Sequence, residues 1–133
     1  MKIAICGSMA FAKDMLSVKK ELEKRGHKVT VPDRTEKHAD GTIRNEDKWE
    51  KIELDVIKAY FNEIKKNDAI IVINKDKNNV KGYVGGNSLI EIAFAHVLGK
   101  KIFLLNSIPN MSYSDEIAAM KPVIINNNLD LIK

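Results

Sequence analysis

The chain has 133 residues, 44% of them hydrophobic and 30% charged, which fits one domain spanning residues 1–133 and excludes a multi-domain machine. Its 22 Lys and Arg against 18 Asp and Glu leave a formal charge of +4, too slight an excess for a dedicated nucleic-acid binder, and 6% aromatic content with one Trp offers little for base-stacking platforms. Cys6 is the only cysteine, so neither an intramolecular disulfide framework nor a multi-cysteine metal site is available.

A single cysteine fits a reducing, cytoplasmic setting. Residues 1–7 (MKIAICG) hold an apolar run too short for a signal segment, and no stretch approaches the roughly 18 apolar residues of a membrane span. The expectation is a soluble protein with no membrane partner. Residues 3–6 are uninterruptedly apolar and closed by Gly7, the pattern of a strand buried on both faces of a parallel sheet. Phe11, Met15, Val18 and Leu22 recur at helical spacing, and Gly26 follows as a stop, so a first helix is predicted here. Residues 28–31 alternate polar and apolar, are rich in β-branched side chains and end at Pro32, which predicts a second, more exposed strand.

Residues 33–45 (DRTEKHADGTIRN) carry no periodicity and read as an irregular loop, the one segment free to act as a lid. From Trp49, the set Ile52, Val56, Ile57, Tyr60, Phe61 and Ile64 falls on one face of a second helix. Residues 69–73 form the most apolar run and predict a central strand; a polar loop over 75–84 follows. Gly85, Gly86, Asn87 and Ser88 then introduce residues 89–98, apolar nearly all round except Glu91 and His96, as in a helix buried in a core. A fourth strand over 101–105, a short helix over 112–120, a fifth strand over 123–125 and a tail with one helical turn complete the chain. The alternation predicts an α/β fold: a five-stranded parallel sheet of flavodoxin-like (Rossmann-like) order 2-1-3-4-5 with helices on both faces. In such a sheet the ligand sits beyond the carboxyl ends of the strands, at the switch between strands 1 and 3.

Three segments reach that edge, residues 7–11, 74–91 and 106–113, and the first two carry the informative motifs. Gly7 and Ser8 place backbone N–H groups and a hydroxyl where a phosphate can be held, or simply make a tight turn with Ser8 as helix cap. The G-x-G-x-x-G and G-x-x-x-x-G-K-[ST] patterns are absent, which removes dinucleotide and P-loop readings, and no cofactor is implied. Residues 82–91 (GYVGGNSLIE) combine glycines that admit a ligand to the backbone with an acidic residue, Glu91. Glu91 either closes a capping box with Ser88, three residues earlier, or acts at an anomeric carbon in an oxocarbenium-like transition state. No histidine pair has metal-ligand spacing, so no metal is expected. Asp68 reads as a strand-entry residue, His27 and His96 as structural, and Cys6 as a small core residue.

The stretch from Asp68 through residues 82–95 to residues 99–105 resembles the core signature of the nucleoside 2-deoxyribosyltransferase family, and Cys6, Gly7 and Ser8 are similar to the opening turn of its nucleotide N-hydrolase branch. The resemblance implies cleavage or transfer at the N-glycosidic bond of a (deoxy)nucleoside or its 5′-monophosphate, with Glu91 as nucleophile. It also implies substrate contacts from Gly7, Ser8, Gly86, Asn87 and Ser88, to which Met9, Gly85 and Asn106 on the same edge are added as candidates, and a homodimer or larger assembly in which a neighbouring subunit completes the site. The partner is then a small nucleoside or nucleotide rather than a nucleic-acid polymer. Two positions depart from the family: Tyr60 stands where a catalytic aspartate is general, and Ala4 where the N-hydrolase branch has a tyrosine. Asp33, His38 and Asp40 in the long loop are the candidates to supply what the aspartate would. The alternatives are a nucleotide-binding or sensor module without turnover, a phosphoribohydrolase of the cytokinin-activating type, and an interaction domain with no small ligand.

Overall fold

The computed structural model describes residues 1–43, 52 and 55–133. Five parallel strands, β1 (Lys2–Cys6), β2 (Lys28–Thr30), β3 (Ala69–Val72), β4 (Lys101–Leu104) and β5 (Val123–Ile124), pair in the order β2-β1-β3-β4-β5. Among the described residues the α-helices are α1 (Ala12–Lys24), α2 (Thr35–Ala39), α3 (Val56–Lys65), α4 (Gly86–Val97) and α5 (Ser114–Ala119). This is the α/β, flavodoxin-like arrangement that the strand and helix periodicities predict.

The sheet's two faces follow from the period-2 alternation of each strand. Ile3, Ile5, Ala69, Ile71 and Phe103 point to one side and pack with Met15 and Leu22 of α1. Ala4, Cys6, Ile70, Val72, Ile102 and Leu104 point to the other and pack with Tyr60 and Ile64 of α3, Ile92 and Ala95 of α4, and Ile117 of α5. β1 and β3 are interior strands, so both their faces are covered, and residues 3–6 and 69–72 are wholly apolar. α1 ends where expected: Gly26 takes φ +88°, a left-handed conformation that costs glycine little.

Four segments differ from expectation. The loop after β2 is not irregular throughout, since Thr35 donates its hydroxyl to Pro32 O at 2.7 Å and opens α2. Five residues are too few for hydrophobic periodicity to register. Within the polar loop after β3, Lys77 and Val80 exchange backbone hydrogen bonds around Asn78 and Asn79, both at positive φ. That is a tight two-residue hairpin, and asparagine tolerates the left-handed conformation it needs. Of the apolar set assigned to the second helix, Ile52 and Ile57 are exposed and Trp49 lies outside the described residues. Finally, α4 is buried on one side only, leaving Ile90, His96 and Val97 exposed.

Candidate functional site

A cavity of about 260 Å³ opens past the carboxyl ends of β1 and β2, with the start of the helix that follows β3 as its far wall, so it borders the β1–β3 point where the strand order reverses. Gly7 and Met9 form its floor after β1. Val31, Pro32, Asp33, Arg34 and His38 come from the segment leading into and through α2, Tyr60 and Glu63 from α3, and Asn87, Ile90 and Glu91 from the first turns of α4. Val56, Ile57 and Ala59 complete a lining that mixes apolar side chains with several that hydrogen-bond or carry charge.

Glu91 owes its position to where α4 starts. The helix begins at Gly86, its N-cap is Gly85, and no side chain caps it. Ser88 therefore lies inside the first turn, buried, and the Ser88–Glu91 capping box does not form. The Glu91 carboxylate instead borders the cavity and is close enough to take a hydrogen bond from the Cys6 thiol. Cys6 is fully buried at the last position of β1, on the face that α3 and α4 cover. Burial first, then the negative charge of Glu91 and its hydrogen bond, push this thiol well above the ordinary thiol range. Cys6 is thus a core residue that also touches a cavity carboxylate.

Tyr60 lines the cavity from α3 and is itself buried. β2 pairs with β1 only as far as Thr30 and Ala4, so the Ile5 carbonyl lies one step past the last pair. The Tyr60 hydroxyl donates to Ile5 O at 2.5 Å and lies 3.4 Å from Thr30 O. A tyrosine thus closes the seam that the short strand leaves open. Burial, and then the acidic groups Cys6, Glu91, Glu63 and Asp33 around it, raise its phenol well above the usual range, so the hydroxyl stays a donor.

The remaining sequence candidates divide. Gly7, Met9, Asn87, Asp33 and His38 line the cavity with Glu91. Asp40 does not: its carboxylate accepts from Thr42 N at 2.8 Å on the exposed side of the loop. Gly85, Gly86 and Ser88 approach α4's start without lining it. Asn106 belongs to the scaffold, where its backbone N–H donates to Asn74 Oδ1 at 2.8 Å and its amide donates to Asn74 O at 3.0 Å. Buried Asn74 also donates to Asn106 O and Ser107 O, tying the ends of β3 and β4 together. Gly82, φ +67°, fits beneath this network because an added Cβ would come within 2.6 Å of Ser107 O.

Ser8 lies beside the cavity, its Oγ accepting from Ala10 N and from Lys77 Nζ at 2.9 Å. The Asn78–Asn79 hairpin presents that lysine, whose ammonium also sits 5.2 Å from the Tyr83 ring centre. Sequence reasoning missed Lys77, Arg34 and Glu63; the Asn-Asn pair was the available signal for the first. Asp68 accepts from Lys2 N at 2.9 Å, joining the starts of β1 and β3, and His27 Nδ1 is 3.0 Å from the Met1 ammonium. Among the described residues no group of three or more His, Cys, Asp or Glu is arranged to hold a metal, and no helix is long and apolar enough to cross a membrane.

In comparison with known proteins, no family model matches this chain and no curated sequence matches it.

Proposed function

We propose that the protein cleaves, or transfers across, the N-glycosidic bond of a (deoxy)nucleoside or nucleoside 5′-monophosphate, with Glu91 as nucleophile. The observation that carries this reading is the placement of Glu91: the one acidic residue of α4, at a cavity wall on the strand-switch edge, beside Asn87 and facing groups from three other elements. A cavity of about 260 Å³ suits a ligand of nucleoside size rather than a dinucleotide. The resemblance of residues 82–91 to the nucleoside 2-deoxyribosyltransferase signature points the same way.

In this scheme Val31, Pro32 and Ile90 give the base an apolar wall, and Asn87 hydrogen-bonds the sugar hydroxyls. Glu91 attacks C1′ as the C1′–N bond breaks, and the bond's electron pair leaves with the base. Water or a second base then displaces Glu91. A 5′-phosphate would meet the Gly7–Ser8 turn, where Lys77 supplies positive charge. Assembly is part of the proposal. Ile90 and Val97 are exposed on α4, half-buried Phe94 between them meets Phe61 of α3 edge to face at 4.8 Å, and exposed Ile57 on α3 continues the apolar patch. Val97 is 83% exposed; a second copy covering this patch would also close the site.

One observation favours a binding module without turnover: Tyr60, where the resembled family has its aspartate, is committed to the backbone. A chromatographic screen for free base from a panel of nucleosides and 5′-monophosphates, with and without an acceptor base, separates the two. The enzyme reading expects base release from at least one substrate; ligand-induced thermal stabilisation with no release over hours supports the binding module.

A further inference from the structure

We propose that a groove at the amino ends of β4 and β5 docks an acidic, amphipathic segment of a partner protein, on a surface separate from the Glu91 cavity and independent of its chemistry. The groove, about 390 Å³, lies at the opposite end of the sheet from that cavity. Lys100 and Lys101 come to it from the start of β4, Lys121 from the turn before β5, and Lys133 from the segment after Leu131. Among the described residues no Asp or Glu lines it. These four lysines equal the chain's whole formal excess of +4, so all its other charged residues cancel.

That charge is not neutralised from within. Among the described residues none of the four lysines forms an ion pair. Two acids on neighbouring segments are held elsewhere: Asp68 accepts from Lys2 N at 2.9 Å, and Asp130 pairs with Arg25 at 2.9 Å. Lys101 Nζ donates to Lys133 O at 2.8 Å, which ties the start of β4 to the segment after Leu131 and fixes one wall. The carboxyl ends of α4 and α5 also reach this end of the sheet, but their partial charges of about −0.5 each are outweighed by four ammonium groups.

The apolar lining decides the occupant. Ile102 and Phe103 are buried, whereas Val123 is 51% and Leu131 50% exposed. Single exposed apolar side chains are ordinary on a surface; two on one lysine-lined groove place uncovered apolar area beside uncompensated charge. Val123 begins β5, the edge strand, so no further strand covers it. A hydrated polyphosphate would use the lysines and leave Val123 and Leu131 bare. Nucleic acids favour arginine forks and exposed aromatic rings; the groove has no Arg, and Phe103 is 4% exposed. A protein segment that alternates carboxylates with aliphatic side chains satisfies both features, the lysines steering it and the apolar contacts holding it.

The test titrates the full chain into a fluorescein-labelled decapeptide of alternating Glu and Leu and reads anisotropy. Decaglutamate, the matching Lys–Leu peptide and a ten-nucleotide single strand serve as comparison probes. The proteins are wild type, Lys100→Glu with Lys121→Glu, Leu131→Ser and, as an equal charge change on α1, Lys13→Glu with Lys20→Glu. Wild type should bind the Glu–Leu peptide, less tightly as salt rises. Charge reversal in the groove should weaken binding about tenfold or more and Leu131→Ser several-fold, with the α1 control within about twofold of wild type. If the double groove variant unfolds, Lys121→Gln with Lys133→Gln should show the same direction. No binding by wild type, equal binding of the Lys–Leu peptide, groove variants that bind like wild type, or an equal loss in the α1 control overturns the proposal. Decaglutamate or the oligonucleotide binding as tightly as the Glu–Leu peptide makes the groove a general polyanion site, and wild-type self-association abolished by the groove variants makes it a contact between copies; each also overturns the partner-segment assignment.

Discussion

Replacing Tyr60 by phenylalanine separates a structural pin from a catalytic group. The substitution keeps the ring, which is buried against Ile64 and the sheet, and removes only the hydroxyl that donates to Ile5 O at 2.5 Å. That carbonyl sits just past the last β1–β2 pair, so no neighbouring strand is placed to replace the donor. The loss is one hydrogen bond plus a stranded buried acceptor, about 1–3 kcal/mol, which for a chain of this size lowers Tm by roughly 2–12 °C. Urea unfolding followed by circular dichroism reads it as a lower midpoint at unchanged slope. The alkaline limb adds a second check. Because the folded-state phenol is held above its unfolded value of about 10, its contribution is complete below pH 10 and is lost as pH rises through the raised value. The stability gap between wild type and Tyr60→Phe therefore narrows in strong alkali. A variant as stable as wild type refutes the pin, and a loss of base release above 100-fold at unchanged stability would put the hydroxyl in the chemistry.

Two further outcomes follow from the same geometry. Cys6→Ala removes the thiol that touches Glu91; kcat should fall several-fold to tens-fold with KM nearly unchanged, and Cys6→Ser, which restores a donor, should recover part of it. An unaltered kcat in Cys6→Ala would show that Glu91 does not depend on the thiol. Val97→Asp on the exposed stripe of α4 should convert a dimer to a monomer in sedimentation velocity, and a wild type that is monomeric at all concentrations tested contradicts the proposed assembly.

How far the residues disclose the fold varies by element. The strands were legible because their burial is two-sided: residues 3–6 and 69–72 have no polar position at all, and only a central parallel strand requires that. The site edge then followed from topology. α2 was not legible, because its five residues are too few for an apolar periodicity and its start is fixed by the backbone N–H and hydroxyl of Thr35 on Pro32 O. The sequence of α4 overstated its burial: Ile90 and Val97 are as apolar as Ile92 and Ala95, and nothing in their spacing separates a face on the sheet from one turned outward. Glu91 stood out as the acidic exception on that helix, but whether it capped its own turn depended on the helix beginning at Gly86, three residues before Leu89. Asn106 and Asn74 illustrate the converse. Both reach the ligand-binding edge, yet their mutual hydrogen bonds assign them to the frame that sets the loop ahead of α4, and that pairing is visible only in three dimensions.

The central claim is that Glu91 forms and breaks the bond at C1′. The most direct measurement is single-turnover base release by wild type and Glu91→Gln on the best substrate from the screen, together with intact mass of the quenched protein. Glutamine nearly preserves size and shape at the cavity wall while removing the negative charge. The account predicts release by wild type with a transient mass increase equal to the bound sugar or sugar phosphate, and neither release nor adduct in Glu91→Gln. Base release by Glu91→Gln at the wild-type rate, or a wild-type adduct located on another residue, would contradict it.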